Sequence, residues 1–128
     1  MPDVKRYFSL EQANVVMRAI RPLLAEILHI RQEILDRQPE FWPVIAKALG
    51  NGGNRAASEV ADQFQRLDGL VHEINATGAI LKDVNTGLVD FPAKRGDQEV
   101  YLCWQYGEDE ILYWHSIDGG FAGRQLIS

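Results

Sequence analysis

The first third of the chain carries a hydrophobic pattern with the period of an α-helix. Its apolar residues recur at intervals of three and four, which places them on one side of a helix. They are Ala13, Val16, Ile20, Leu23, Ile27, Ile30 and Ile34. Ser9 and Gln12 have the spacing of a capping box, in which the two side chains bind free backbone amides of the first turn. A first helix is therefore predicted from Leu10 to Arg37, with a kink or restart near Arg21 because Pro22 lacks a backbone donor.

A second stripe of the same period follows a break. Residues 39–43 (PEFWP) and the glycine-rich residues 50–54 interrupt the pattern, and a short helical turn is predicted between them from Val44 to Leu49. The second stripe consists of Ala57, Val60, Phe64, Leu67, Val71 and Ile74. Gly78 is predicted to end this helix, because glycine favours the backbone conformation of a helix C-terminus. Two matching stripes predict an antiparallel helical hairpin over residues 1–78.

After Gly78 the pattern changes to the period of a β-strand. Residues 79–83 are compatible with an extended segment, and strands are predicted over residues 88–93, 99–106 and 110–117. Pro92 predicts an edge or the end of a strand, since proline cannot donate to a sheet. Residues 79–128 therefore form a predicted antiparallel β-meander of three to four strands with a glycine-rich tail. The predicted fold is one α+β domain, in which a long helical hairpin packs against this small sheet.

Composition and charge exclude some classes of function. A chain of 128 residues is one domain of ordinary size, and its net charge of −5 argues against broad binding of nucleic-acid phosphates. The basic residues near one end, Lys5, Arg6, Arg18 and Arg21, leave weak nucleic-acid binding as an alternative. A single cysteine fits a reducing compartment, and no apolar run approaches the ~20 residues of a membrane span. A cytoplasmic protein without a membrane partner is expected.

Unusual residue types are concentrated between Tyr101 and Arg124. His115 is a candidate general base, metal ligand or anion contact, and its spacing to Asp118 also allows a structural hydrogen bond. Arg124 follows several glycines and could bind a carboxylate or phosphate, or form a salt bridge with Asp118, Asp90 or Glu110. These four residues, His115, Asp118, Arg124 and Asp90, are the predicted ligand-binding candidates.

Asp90 is a candidate because it lies among apolar neighbours. A carboxylate in such surroundings usually pairs with a cation, here Arg124, or accepts backbone amides. A metal centre has weaker support, because the only cysteine belongs to no CxxC motif and no HxxxH motif is present. Possible ligands are Cys103, His115, Asp118, Glu108 and Glu110. No metal or cofactor is therefore predicted, and Cys103 is interpreted as a small buried apolar residue.

Several segments together resemble a known family. They are residues 7–14 (YFSLEQAN), 20–24 (IRPLL), 78–83 (GAILKD), 87–92 (GLVDFP), 102–104 (LCW), 114–118 (WHSID) and 120–125 (GFAGRQ). The chain is similar to the bacterial and archaeal family catalogued as domain of unknown function 2203. The resemblance covers nearly the whole chain and implies a complete copy, but it implies no particular activity.

The leading functional hypothesis is a homodimeric interaction or assembly module, motivated by the two helical stripes. The first alternative is a protein, enzymatic or not, that binds a small anionic ligand near Asp90, His115, Asp118 and Arg124. The second alternative is a weak nucleic-acid binder.

Overall fold

The computed structural model describes residues 6–50 and 61–127. The fold is α+β, as predicted, with three helices followed by one antiparallel sheet. The helices are α1 (Leu10–Arg37), α2 (Trp42–Gly50) and α3 (Ala61–Ala76), and a 3₁₀ turn, Pro39–Phe41, connects the first two. The strands are β1 (Ile80–Asp83), β2 (Leu88–Arg95), β3 (Gln98–Gln105), β4 (Tyr113–Ser116) and β5 (Gln125–Leu126). Most of the predicted glycine-rich loop and the predicted start of the second helix lie outside the described residues.

Helix α1 has the predicted bounds and the predicted cap. The Ser9 hydroxyl accepts the Gln12 amide at 3.1 Å, and the Gln12 side chain accepts the Ser9 amide at 3.0 Å. The helix continues through Pro22, so the predicted restart at Arg21 does not occur. Pro22 and Arg18 lie on the exposed side of the helix, where water can bind the carbonyl group that loses its donor.

The helical hairpin is antiparallel, as predicted. The Arg66 guanidinium of α3 donates to both carboxylate oxygens of Glu26 in α1, at 2.5 and 2.7 Å. Near the other end, Arg6 just before α1 donates to the carbonyl of Thr77 just after α3, at 2.7 Å. The apolar stripe of α1 is buried within the chain, at Ala13, Met17, Ile20, Leu24, Ile27, Ile30 and Ile34. No helix within the described residues is long and apolar enough to span a membrane.

The sheet is a simple meander of five strands in sequence order, not three to four. Strand β1 lies in the segment 79–83, for which the sequence is compatible with an extended conformation, and the short β5 is the strand beyond the predicted number. The last predicted strand is shorter than expected, because residues 110–112 do not belong to β4. The amide of Ile111 instead donates to the Asn14 side chain of α1 at 3.0 Å, and the Ile111 side chain is buried. This contact with α1 turns the segment away from the sheet.

Pro92 lies inside β2 and not at its end, but it lies on a local edge, which is one of the two predicted positions. Strand β1 pairs with β2 only as far as Ile80, opposite Asp90, so the ladder on that side has ended before Pro92. The Pro92 carbonyl there accepts the amide of Phe8 at 2.7 Å. Proline is tolerated at this position because no strand requires its missing donor.

The two faces of the sheet have different environments. One face packs against the helices through the large side chains Val89, Phe91, Val100, Leu102 and Trp104, all of which are buried. The opposite face, called here the outer face, carries Asp90, Tyr101, Cys103, Tyr113 and His115, as the strand register and the alternation of side chains require. Residues 89–93 of β2 are buried without interruption, so this strand is covered on both faces.

Gly87 lies where α1 packs closely on the sheet, and a substitution there tests this close packing. Its φ is +73°, and a Cβ atom there would lie 2.7 Å from Leu24 Cδ1 and 2.8 Å from Tyr106 Cβ. Gly87→Ala is expected to lower the free energy of unfolding by about 2–5 kcal/mol, since overpacking adds to the cost of a left-handed backbone. Gly96→Ala is the matched control, because Gly96 also has a positive φ but has nothing within 4 Å of an added Cβ. Urea unfolding measures both variants, and equal costs would contradict the close approach.

Candidate functional site

The centre of the candidate site is a buried pair of an aspartate and a histidine on the outer face. Asp90 on β2 and His115 on β4 are 3% and 2% exposed, and they are the buried charged or polar side chains of the described residues. The Nε2 atom of His115 lies 3.0 Å from Oδ1 of Asp90. The other ring nitrogen, Nδ1, lies 2.7 Å from the carbonyl oxygen of Ser116. Both ring nitrogens of His115 therefore have fixed partners.

These two contacts determine how many protons the pair holds. A carbonyl oxygen can only accept, so Nδ1 of His115 must carry a hydrogen and donate it to Ser116. The contact between Nε2 and the Asp90 carboxyl group then requires one further proton, on either residue. The pair is an imidazolium with a carboxylate, or a neutral imidazole with a carboxylic acid. In both forms the net charge of the pair is zero, which suits a site without water.

Cys103 on β3 completes a cluster with this pair. It lies directly opposite Asp90 in the β2–β3 register and is fully buried. Burial, and next the negative charge of Asp90, raises the pKa of the Cys103 thiol to about 12. The thiol is therefore protonated at neutral pH. The expected burial of Cys103 is confirmed, but its neighbours are polar and not a simple apolar core.

Arg124 belongs to a second pair, although its guanidinium also lies 3.5 Å from the carbonyl oxygen of Cys103. Its guanidinium donates to both carboxylate oxygens of Glu108, at 2.7 and 2.8 Å, and lies 3.9 Å from the ring centroid of Tyr113 and 4.7 Å from that of Phe121. Its Nε atom is buried and has no hydrogen-bond partner among the described residues. None of the predicted partners Asp118, Asp90 and Glu110 is therefore the partner of Arg124. The side chain anchors the tail to the β3–β4 turn.

Asp118 does not join either pair. Its side chain is exposed and makes no ion pair or hydrogen bond with the part of the chain that the structure describes. The predicted contact between His115 and Asp118 is wrong, because His115 points across β3 toward Asp90. The four predicted site residues thus form one buried pair, one tail anchor and one isolated surface carboxylate.

Two members of these clusters have roles that the sequence interpretation missed. From the sequence, Cys103 is interpreted as a buried apolar residue or a possible metal ligand and Glu108 as a possible metal ligand, but not as the partners of Asp90 and Arg124. A signal for Cys103 was present in the turn at Gly96-Asp97. A two-residue turn pairs the flanking strands symmetrically, and Asp90 and Cys103 are equally distant from it. No comparable signal linked Glu108 to Arg124.

The buried cluster offers three possible metal-ligand atoms. One ligand atom each from Asp90, Cys103 and His115 can be chosen so that all lie within 4.8 Å of one another. Of the ligands considered from the sequence, only Cys103 and His115 belong to this cluster. Thiolate, imidazole and carboxylate are all ligand types that zinc uses in proteins.

One groove lies on the other face of the sheet. It has a volume of about 190 Å³ and lies where the start of α1 meets the ends of β2, β3 and β4. Its apolar lining includes Phe8, Leu102 and Trp114, and two cations, Lys94 and Arg95, line it as well. This cavity is called here the end groove. A second cavity of about 450 Å³, between α2, α3 and β1, contains none of the predicted site residues.

Comparison with known families agrees with the resemblance in the sequence. The family described as Uncharacterized conserved protein (DUF2203) matches residues 6–127. The chain belongs to this family. No curated protein and no solved structure matches it. The DUF2203 description names no activity, so the function of this chain has to be argued from its geometry.

Substitutions of two aspartates test the buried pair. Asp90→Ala is expected to lower the free energy of unfolding by about 3–5 kcal/mol, because it leaves His115 buried without its partner. Asp90→Asn should cost only about 1 kcal/mol, because the amide can donate to Nε2 of a neutral His115. Asp118→Ala is the control and should change stability by less than about 0.5 kcal/mol. Chemical unfolding measures all three, and a cost for Asp118→Ala equal to that for Asp90→Ala would refute this assignment.

Proposed function

We propose that this protein is a homodimeric interaction module whose two copies meet at the carboxy-terminal edge of the sheet. The observation that supports this proposal is the distribution of exposed apolar side chains. Four of the eight large hydrophobic residues exposed among the described residues lie between positions 112 and 126. They are Leu112, Ile117, Phe121 and Leu126, called here the tail surface. Exposed apolar side chains concentrated in one segment of a chain favour a protein contact there.

The proposed contact differs from the one that the helical stripes suggested. The buried stripe of α1 packs against its own α3 and its own sheet, so it is not available to a second copy. In α3, Leu67, Leu70, Val71 and Ile74 are buried in the same core. The remaining exposed apolar residues on the helices are scattered. Among them Val15 on α1 is the most exposed residue. The tail surface is therefore the better candidate.

The edge of the sheet gives the contact a defined geometry. Strand β5 is the last strand in the sheet order, and its free edge pairs with no other strand of the described residues. Leu126 on β5 is 67% exposed. The unpaired edge of β5 (Gln125–Leu126) can pair with another strand, and two antiparallel copies of β5 would satisfy two-fold symmetry. Such a dimer would extend the sheet across both subunits.

The dimer can be tested with one charge substitution. The parent chain, with a mass of 14.5 kDa, is expected to elute as a dimer in size-exclusion chromatography with light scattering. Leu126→Glu should shift it to a monomer, because symmetry places two like charges at the contact. Val15→Glu is the matched control, since Val15 is 57% exposed but lies on α1. That variant should remain dimeric.

Two outcomes would overturn the dimer proposal. A parent chain that is monomeric at about 100 μM would exclude a contact with a free energy stronger than roughly 5–6 kcal/mol. A dimer that survives Leu126→Glu and dissociates with Val15→Glu would place the contact on the helices instead.

A second candidate function is binding of a small carboxylate with an apolar tail in the end groove. The observation that favours it is the combination of Lys94 and Arg95 with an apolar lining. The Arg95 guanidinium lies 4.2 Å from the ring centroid of Trp114, and the Lys94 ammonium lies 4.8 Å from that of Tyr7. The groove replaces the predicted location at His115, Asp118, Arg124 and Asp90, whose charged groups are paired or isolated. A cation beside an apolar cavity suits an amphipathic anion.

A matched pair of ligands tests this second function. Hexanoate is expected to shift amide resonances around Arg95 and Trp114 in a titration followed by NMR, whereas hexanol should bind at least about 10-fold more weakly because it carries no charge. Arg95→Gln should weaken hexanoate binding, and Arg37→Gln, at the far end of α1, should leave it unchanged. Equal affinities of the parent chain for hexanoate and hexanol would exclude a charge-selective groove. Equal affinities of Arg95→Gln and Arg37→Gln for hexanoate would exclude it as well.

Nucleic-acid binding has less support than either function. Among the basic residues near one end, Arg6 donates to Thr77 and Arg21 donates to the carbonyl of Asp109 at 2.8 Å, so both hold the fold together. A cytoplasmic location accompanies the proposed function, because a reduced and buried Cys103 suits a reducing compartment.

A further inference from the structure

The outer face of the sheet brings together three metal-binding side chains from three adjacent strands. Asp90 on β2 lies opposite Cys103 on β3, and His115 on β4 lies opposite Tyr101, two residues from Cys103. The three chosen ligand atoms lie within 4.8 Å of one another, and all three side chains are buried. Because each ligand comes from a hydrogen-bonded strand, the sheet itself fixes the distances between them.

His115 is oriented as a metal ligand. Its Nδ1 donates to the Ser116 carbonyl at 2.7 Å, and its Nε2 lies 3.0 Å from Oδ1 of Asp90. Metal-bound histidines generally donate their second ring nitrogen to a carbonyl or carboxylate, which fixes the tautomer and the ring orientation. The Ser116 carbonyl supplies this second contact without any movement of the ring. Tyr101, whose ring centroid lies 5.4 Å from that of His115, packs beside it.

The charges of the cluster balance with a divalent cation. Without metal, the Asp90–His115 pair has no net charge and the Cys103 thiol is neutral. A divalent cation would displace two protons to solvent, one from the thiol and one from the Asp90–His115 pair. The bound state then contains a thiolate, a carboxylate, a neutral imidazole and a dication, and its net charge is again zero. Neutrality in both states suits a buried position.

We propose that Asp90, Cys103 and His115 form a zinc site that uses Oδ1, Sγ and Nε2. Mixed sulfur, nitrogen and oxygen ligands favour zinc over magnesium or calcium, which prefer oxygen alone. Bond lengths of ~2.0–2.3 Å in a tetrahedral site place ligand atoms about 3.3–3.7 Å apart. The 3.0 Å separation between Nε2 and Oδ1 needs to widen by only a few tenths of an ångström. The fourth position is left for water or a small ligand.

The same residues without metal form a hydrogen-bonded network, and the test must separate the two roles. In the metal-free chain Asp90 contacts His115 through a shared proton, and the buried Cys103 lies opposite Asp90 in the sheet. This network keeps the ligands close together before metal binds. A purely structural network would show neither thiolate coordination nor release of protons on addition of metal.

Cobalt is the direct probe, because it substitutes for zinc and is coloured. The full chain is stripped with a chelator and titrated with Co²⁺ at neutral pH. The expected result is a sulfur-to-cobalt charge-transfer band that saturates at one equivalent, together with strong visible bands of tetrahedral cobalt. Zinc added to the cobalt-loaded chain should abolish both signals. Zinc added to the metal-free chain should release two protons per chain, measured with a pH indicator. Absence of the charge-transfer band in the folded parent chain would overturn the proposal.

Variants locate the site. Cys103→Ala and His115→Ala should each weaken zinc binding by more than about 100-fold, which a competition assay with a chromophoric chelator measures. His72→Ala is the matched control, since exposed His72 lies 3.6 Å from Asp68 and is a second histidine beside a carboxylate. Loss of binding in His72→Ala alone would place the metal on α3 and overturn the proposal. If His115→Ala does not fold, the cobalt spectrum of the parent still decides the question.

Discussion

The register of β2 against β3 is the constraint on which both sides of this sheet depend. In this register Val89 pairs with Trp104, and Phe91 pairs with Leu102, on the face that meets the helices. The same register places Asp90 opposite Cys103 on the other face. A shift by one residue would turn the polar cluster toward α1 and expose the large aromatic side chains. The core and the buried polar cluster therefore depend on the same strand register.

Most of the fold could be predicted because its apolar periodicity is strong and local. The α1 helix has a capping box and seven buried positions at helical spacing, and its bounds agree with prediction. The two edge strands could not be predicted in the same way. Strand β1 has four residues and β5 has two, which is too short for an alternating pattern to be distinguished from an irregular segment.

The candidate site was only partly predictable. Asp90 and His115 were identified as unusual residues, but their contact with each other depends on two hairpin registers. The turns centred near residues 96–97 and 108 contain this information, since each pairs residues that are equally distant from it. The contact between Arg124 and Glu108 is different in kind. It depends on how the glycine-rich tail folds back after β4, and glycine residues permit many such paths.

The long first helix also has a consequence for the order in which the chain is made. Its apolar stripe is buried against α3 and against strands that follow it by more than fifty residues in the sequence. During synthesis the helix emerges from the ribosome well before β2 and β3 exist, and its partner surface is then absent. An amphipathic helix whose packing partner has not yet been synthesised exposes apolar surface, and such surface is bound by chaperones and is prone to non-specific association. Vectorial synthesis therefore exposes, for a time, the surface that the finished protein hides most completely.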